Sequence, residues 1–272
     1  MESEKDLKAF ANEIRIETIQ CLKHRGFGHV GGCMSIVETL AVLYGSEMKY
    51  DAANPQWEDR DYLVLSKGHA GPALFATLAL KGFFPLDWLD TLCVPGTRLP
   101  SHCDRLRTPG VDVTTGSLGQ GLSVAAGIAK GMKIRGKDNR VYAILGDGEC
   151  GEGQNWEAAA FASHYELSNM TAFVDWNKRQ VDGYLKDVMS LGDIKAKFEA
   201  FGWDAVMVNG ADVDAIRTAV EDAKSSQNNR AHAIILDGIK GSGVPEFEEM
   251  FDNHFFQLDA KLADRAIAEL TA

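Results

Sequence analysis

The chain has 272 residues, 45% of them hydrophobic and 25% charged, enough to bury a substantial core in one or two domains. Its formal net charge of −11 fits a solvating acidic surface and argues against generic nucleic-acid binding. The longest apolar runs, such as Val141–Leu145 and Ala231–Leu236, fall far short of the ~20 residues that span a bilayer, and no apolar run follows the charged start Met1–Asp6, so neither a membrane span nor a signal peptide is expected.

Read in chain order, the first helix starts after a capping Ser3 and carries the stripe Leu7, Phe10, Ala11, Ile14, Thr18 and Leu22. Ser35 and Glu38 have capping-box spacing ahead of a second helix that runs to Tyr44 and stops near Gly45. Tyr62–Leu65 reads as a short strand, and Gly71–Leu80 and Gln120–Ile134 as helices rich in small residues. From Val141 the pattern becomes regular. Strands at Val141–Leu145, Thr171–Asp175, Trp203–Val208 and Ala233–Leu236 alternate with helices at Trp156–His164, Val213–Lys224 and Leu258–Leu270. Without repeats, low-complexity tracts or Pro-rich linkers, residues 1–272 read as a single α/β domain. Its sheet is expected to be mostly parallel with helices on both faces, and ligands should bind at the carboxyl ends of the strands.

Twenty of the 27 glycines lie between Gly26 and Gly153, which places a ligand site in the amino-terminal half, because glycine lets a backbone turn sharply or approach a ligand. The five cysteines, Cys21, Cys33, Cys93, Cys103 and Cys150, form no Cys-x-x-Cys pattern and are odd in number. That fits reduced thiols and a cytoplasmic location.

The loop Gly146-Asp147-Gly148-Glu149-Cys150-Gly151 satisfies G-x-G-x-x-G between a strand and a helix, with Asp175 lying 24 residues past Gly151. Taken alone, this is a dinucleotide-binding fingerprint or a plain strand-to-helix turn. Charge argues against a bare pyrophosphate. Asp147, Glu149 and Glu152 bring anions to the same place, and like charges at ~4 Å repel by about 4 kcal/mol at intermediate dielectric. A divalent cation between carboxylate and diphosphate reverses that sign. Mg²⁺ takes about six oxygens, one or two from protein carboxylates and others from phosphates. Asp147 offers one oxygen, Asn177 at the tip of the next strand an amide oxygen, and the backbone near Arg179 a carbonyl.

Gly146-Asp147-Gly148, followed by Asn177 30 residues beyond Asp147, resembles the thiamine diphosphate (ThDP) signature. Four further segments in the same order narrow the resemblance to the transketolase family: Gly28-His29-Val30-Gly31-Gly32, Ser66-Lys67-Gly68-His69-Ala70-Gly71-Pro72, Pro100-Ser101-His102, and Thr115-Gly116-Ser117-Leu118-Gly119-Gln120-Gly121. The resemblance implies a ThDP-binding fold with Mg²⁺ held by Asp147, Asn177 and the Arg179 carbonyl. It further implies that Gly116, Ser117, Leu118 and Gly148 line the cofactor, and that His29, His69, His102 and His254 contact diphosphate or sugar and assist proton transfer. Lys240 fits the family's Lys-Gly-x-Gly segment, and Glu152 an acid at the subunit interface that links two cofactor sites. Independently of the family, His29, His69 and His102 follow Gly28, Gly68 and Ser101 in turn-like segments, where imidazoles near neutral pKa suit proton shuttling. His24, His164 and His232 read as ordinary surface or core residues.

Two departures from the family pattern bear on function. The late histidine reads His254-Phe255-Phe256-Gln257-Leu258 rather than His-Gly-x-Pro-Leu, inside a cluster with Phe247, Met250 and Phe251, which also suits a core or interface helix. A full transketolase chain is more than twice this length, and the family's pyrimidine-binding domain, with the glutamate that activates the cofactor, has no counterpart here. The resemblance therefore implies the amino-terminal subunit of a split transketolase, paired as α2β2 with a pyrimidine-domain subunit and acting on sugars or sugar phosphates. Readings that stay open are a 1-deoxyxylulose-5-phosphate synthase-like subunit, an NAD-binding Rossmann module and a non-catalytic regulatory subunit.

Overall fold

The computed structural model describes residues 4–271, so the expected cap Ser3 lies outside the described residues. The elements in chain order are α1 (Glu4–Arg25), β1 (Phe27–Gly28), α2 (Val30–Met34), α3 (Val37–Val42), β2 (Tyr62–Leu65), α4 (Gly71–Leu80) and α5 (Gln120–Ile134). There follow β3 (Val141–Gly146), α6 (Gly153–His164), β4 (Met170–Trp176), β5 (Arg179–Gln180), β6 (Gly183–Tyr184), α7 (Leu185–Val188) and α8 (Ile194–Ala200). The chain then forms β7 (Asp204–Asn209), α9 (Val213–Ser225), β8 (His232–Asp237), α10 (Pro245–Glu249), β9 (Phe256–Gln257) and α11 (Ala260–Thr271).

Strands β2-β3-β4-β8-β7 form a five-stranded sheet, and every neighbouring pair is parallel. Their residues alternate between two cores. Tyr142, Ile144, Phe173, Ile234 and Leu236 face the core built with α1, α3, α4, α9 and α11. Val141, Ala143, Leu145, Ala172, Val174, Ala233 and Ile235 face the core built with α5, α6 and α8. Near-continuous apolar strands are what a sheet covered on both faces requires. The small residues Ala158, Ala159 and Ala162 bring α6 close to its face.

The expected strands and long helices are present, with several boundaries shifted. Trp203 precedes β7: its buried indole Nε1–H donates to the Ala159 carbonyl at 2.9 Å, anchoring the chain to α6 before the strand begins. The last helix starts at Ala260 rather than Leu258, because Asp259 accepts from the Leu262 N–H at 2.9 Å.

The capping box at Ser35 and Glu38 does not form. α3 begins after Ile36, without a side-chain cap. Ser35 Oγ instead donates to Asp175 at 2.7 Å, and Glu38 pairs with Arg15. A buried carboxylate and a buried guanidinium compete for these groups more strongly than a helix end does.

Among the described residues, no helix is long and apolar enough to cross a membrane, and all five cysteines are free.

Candidate active site

The carboxyl ends of β2, β3 and β4 lie side by side, in the registers Leu65↔Ile144 and Gly146↔Asp175. Three polar loops therefore emerge together: Ser66–His69, Asp147–Gly148 and Asn177–Arg179. The segment 238–256 returns over them, and Asn253 fastens it with side-chain N–H bonds to the Lys240 and Phe247 carbonyls, both 2.9 Å. Gly31 makes the return possible: its N–H donates to the Asn253 carbonyl at 3.0 Å, and a Cβ at Gly31 would stand 2.3 Å from that oxygen.

These segments enclose a cleft of about 240 Å³. Of the residues singled out in the sequence, His69, Leu118, Asp147, Gly148, Glu152, Asn177, Arg179, Lys240 and His254 line it. His29, at the start of α2, joins them through its ring, 5.1 Å from His69, 5.3 Å from His254 and 6.0 Å from His102 between centroids. Gly116 packs against the His102 ring. Ser117 lies exposed on the same loop, and Glu152 is exposed at the rim. Four histidines widely separated in sequence thus form one cluster.

Burial sets the proton affinity of His29, His69 and His254. It lowers the pKa of His29 to about 4, helped by His102 and Lys240, and that of His69 to about 2, helped by Lys67. His254 falls to about 3 through burial and the neighbouring Lys240. These three imidazoles are neutral at pH 7, with pKa values well below the near-neutral range expected from the sequence because burial penalises the cation; each offers one ring N–H donor and one ring acceptor. Lys240 Nζ lies 2.9 Å from His254 Nδ1. Burial lowers Lys240 to about 8, so at neutral pH it is mostly an ammonium with donors only. His254 Nδ1 must then accept, which leaves the proton on Nε2.

Asp147 is 3% exposed. One oxygen accepts from the Gly148 N–H at 2.7 Å and the other from the Lys178 N–H at 2.5 Å. Burial and the nearby Asp175 carboxylate raise its pKa to about 7, so the site disfavours an uncompensated negative charge. Asn177 Oδ1 accepts from the Arg179 N–H at 3.1 Å. The Arg179 carbonyl accepts from Lys240 Nζ at 3.2 Å, and its guanidinium turns away to the Met250 carbonyl.

Among the described residues, no group of three His, Cys, Asp or Glu side chains is placed to hold a metal. What converges is one carboxylate, one amide and one carbonyl. That set fits Mg²⁺ shared with a diphosphate, because Mg²⁺ takes few protein carboxylates and fills its octahedron with phosphate and water.

Sequence reasoning missed the inward-facing half of the site. Glu149, read as one more anion at the loop, turns inward. It accepts from Ser66 Oγ, from the Gly119 N–H at 2.9 Å and from the Gly146 N–H at 2.9 Å, which staples the loop after β3 to the end of β2 and the start of α5. Asp175, placed where a ribose-binding acid would stand, is 1% exposed and bonded to Lys67, Ser35 and Asn177. Only the polar residues that follow each strand hinted at either role.

A parallel sheet that carries a carboxylate–amide pair beside neutral histidines at its carboxyl edge defines the class of ThDP-binding domains. The family described as "Transketolase, thiamine diphosphate binding domain" matches residues 7–270. The chain belongs to this transketolase family. It is 49% identical over 269 residues to a 6-deoxy-6-sulfo-D-fructose transketolase subunit of Clostridium sp. (strain MSTE9), covering 99% of this chain and 98% of the relative. It is 37% identical over 245 residues to an apulose-4-phosphate transketolase subunit from Phocaeicola vulgatus, covering 90% and 86%. The transketolase structure from Campylobacter jejuni superposes with a TM-score of 0.90 at 29% identity; the match covers all of this chain but only 43% of that one.

Proposed function

We propose that residues 1–272 form a single diphosphate-binding domain, the amino-terminal subunit of a two-chain transketolase. With ThDP and Mg²⁺ it transfers a two-carbon ketol unit from a ketose to an aldose. The observation that carries this reading is the convergence of Asp147, Asn177, His69 and His254 on one cleft, with the His29 and His102 rings clustered beside them.

In this reading Asp147, Asn177 and the Arg179 carbonyl hold Mg²⁺, while Leu118, Gly148, Glu152 and Lys240 border the cofactor, with Gly116 and Ser117 beside them. When bound, the cofactor supplies the electron sink that C–C cleavage of a ketose needs. The protein's own residues position and move protons. Lys240 holds the His254 tautomer, so Nε2–H donates into the cleft. The His69 and His102 rings both contact His29, and the three face sugar hydroxyls as proton-transfer partners. Burial keeps His29, His69 and His254 uncharged, so each presents one hydrogen-bond donor and one acceptor.

Dependence on a second chain that carries the pyrimidine-binding domain, assembled as α2β2, is supported by the two relatives called transketolase subunits, which match this chain over most of their own length. A cytoplasmic location is supported by the free cysteines. An NAD-binding reading loses its ribose acid, since Asp175 is committed to Lys67, Ser35 and Asn177.

The test mixes the purified chain with ThDP, Mg²⁺ and an aldose acceptor, with and without the pyrimidine-domain subunit. The first ketose donors to offer are 6-deoxy-6-sulfo-D-fructose, taken from the Clostridium relative's name, and a sugar phosphate. Ketol transfer is expected only with both chains; robust turnover by this chain alone overturns the two-chain reading.

A further inference from the structure

The carboxylate of Asp175 is the centre of a buried cluster in the wall of the cleft. A single oxygen, Oδ2, accepts from Lys67 Nζ at 2.6 Å, Ser35 Oγ at 2.7 Å and Asn177 Nδ2 at 2.8 Å. The Lys67 and Asp175 side chains are 2% and 1% exposed. Lys67 Nζ also donates to the Gly32 carbonyl at 2.7 Å, so the cluster ties α2 to the ends of β2 and β4. These bonds go well beyond what folding of a strand end requires. Three donors converge on one oxygen, and two of them, Lys67 and Asn177, belong to residues that line the cleft.

The consequence follows from the chemistry of the amide. Asn177 carries an oxygen acceptor and an NH₂ donor on opposite sides of one plane. Asp175 Oδ2 already accepts from Lys67 and Ser35, so it admits the NH₂ side of Asn177 and repels the oxygen. With Nδ2 held on Asp175, Oδ1 must point the other way, where it meets the Arg179 N–H and the cleft shared with Asp147. Lys67 Nζ on the same oxygen supplies the buried partner that a carboxylate in this position needs.

We propose that Asp175, paired with Lys67, is a positioning residue that locks the Asn177 amide with its oxygen toward the cation of the diphosphate site. The proposal rests on the metal–diphosphate reading given above. It assigns Asp175 no contact with substrate or cofactor. Its effect is on the geometry of a single ligand. Groups that orient a metal ligand from behind typically change metal affinity by about 10- to 100-fold when removed. Mg²⁺ demands a near-ideal octahedron, whereas Ca²⁺ tolerates irregular ligand sets. Loss of the lock should therefore weaken Mg²⁺ more than Ca²⁺.

The experiment titrates Mg²⁺ and, separately, Ca²⁺ into the full chain with ThDP by calorimetry. Asp175→Asn offers either an oxygen or an NH₂ to Asn177 and so abolishes the preference; Asp175→Asn with Lys67→Met does the same without leaving a buried cation unpaired. Both should lose about 10- to 100-fold in Mg²⁺ affinity, with a clear fall in the Mg²⁺/Ca²⁺ ratio. Ser35→Ala breaks one bond of the same cluster but leaves the carboxylate and the lock in place, and it should keep the wild-type ratio. Unchanged Mg²⁺ affinity and ratio in a folded Asp175 variant overturn the proposal, as does an equal change of ratio in Ser35→Ala. A measurement on the unmutated chain needs no variant to fold. With ¹⁵N-labelled asparagine, the Asn177 side-chain NH₂ should be strongly protected from hydrogen exchange, and exchange at the rate of a free amide overturns the lock. If the unmutated chain, together with the pyrimidine-domain subunit, binds no ThDP in the presence of Mg²⁺, the metal–diphosphate reading itself fails, a result distinct from all of these.

Discussion

Asp147 shows how one residue's environment prepares it for a cation. Its two oxygens accept backbone N–H groups, and burial with the neighbouring Asp175 makes the bare charge unfavourable. A divalent ion would relieve that cost and lower the carboxyl pKa again. Asp147→Asn keeps the shape and removes the charge. The expected loss of Mg²⁺-dependent ThDP binding is at least about 2 kcal/mol, the scale of one hydrogen bond to a charged group, or about 30-fold in Kd. Calorimetry with and without EDTA measures it, and an unchanged Kd removes Asp147 from the metal site. The residue scale is also where the sequence was most legible. Asp147 and Asn177 were identifiable because their spacing places them at the tips of adjacent strands. Glu149 was not: its spacing is the same whether its side chain faces the cleft or the core, and that direction depends on a 3-10 turn and on the N–H of Gly119 from a distant loop.

Between elements, the closest approach that matters to the site is α5 against the end of β2. A Cβ at Gly121 would lie 2.3 Å from Ser66 Oγ and 2.7 Å from the Ser66 Cα. Alanine ordinarily gains up to about 1 kcal/mol over glycine within a helix. Here, overpacking against backbone costs about 1–3 kcal/mol and wins. Gly121→Ala should therefore lower stability in urea denaturation and push Ser66 away from Glu149, loosening the loop after β3; a variant more stable than the parent contradicts this packing. The strands and long helices were readable from periodicity, since apolar runs with β-branched residues leave little choice. The short ribbon β1–β9 was not, because pairing of Phe27–Gly28 with Phe256–Gln257 joins two dipeptides more than 220 residues apart. That pairing brings Phe255 within 4.8 Å of His29, the contact where this chain departs from the family's His-Gly pattern.

For the molecule as a whole, the buried histidines enter the stability as linkage. The pKa of His69 falls from the ordinary value of 6.5 to about 2 on folding. A depressed folded value means that the unfolded chain binds more protons between the two, so this contribution is complete above pH 6.5 and is lost as the pH falls toward 2. Asp147 works in the opposite sense: its raised value stabilises at low pH and is lost as the pH rises from 3.8 to about 7. The test is therefore a difference. His69→Asn should flatten the fall of Tm between pH 6.5 and 4 relative to the parent chain, and a steeper fall in the variant would show that His69 is not held neutral by burial.

The sequence by itself determined the alternation of strands and helices, the two-faced sheet, the family and the residues at the strand tips. Each of these follows from local periodicity or from motifs in fixed order. Only the tertiary structure decided what the buried polar groups do. Ser35 leaves a helix cap for Asp175, Glu149 turns inward to staple two loops, and Lys67 becomes the ion-pair partner of the strand end. The physical reason is that a buried hydrogen-bonding group takes whichever partner desolvation makes most favourable, and these partners come from segments that only folding brings together.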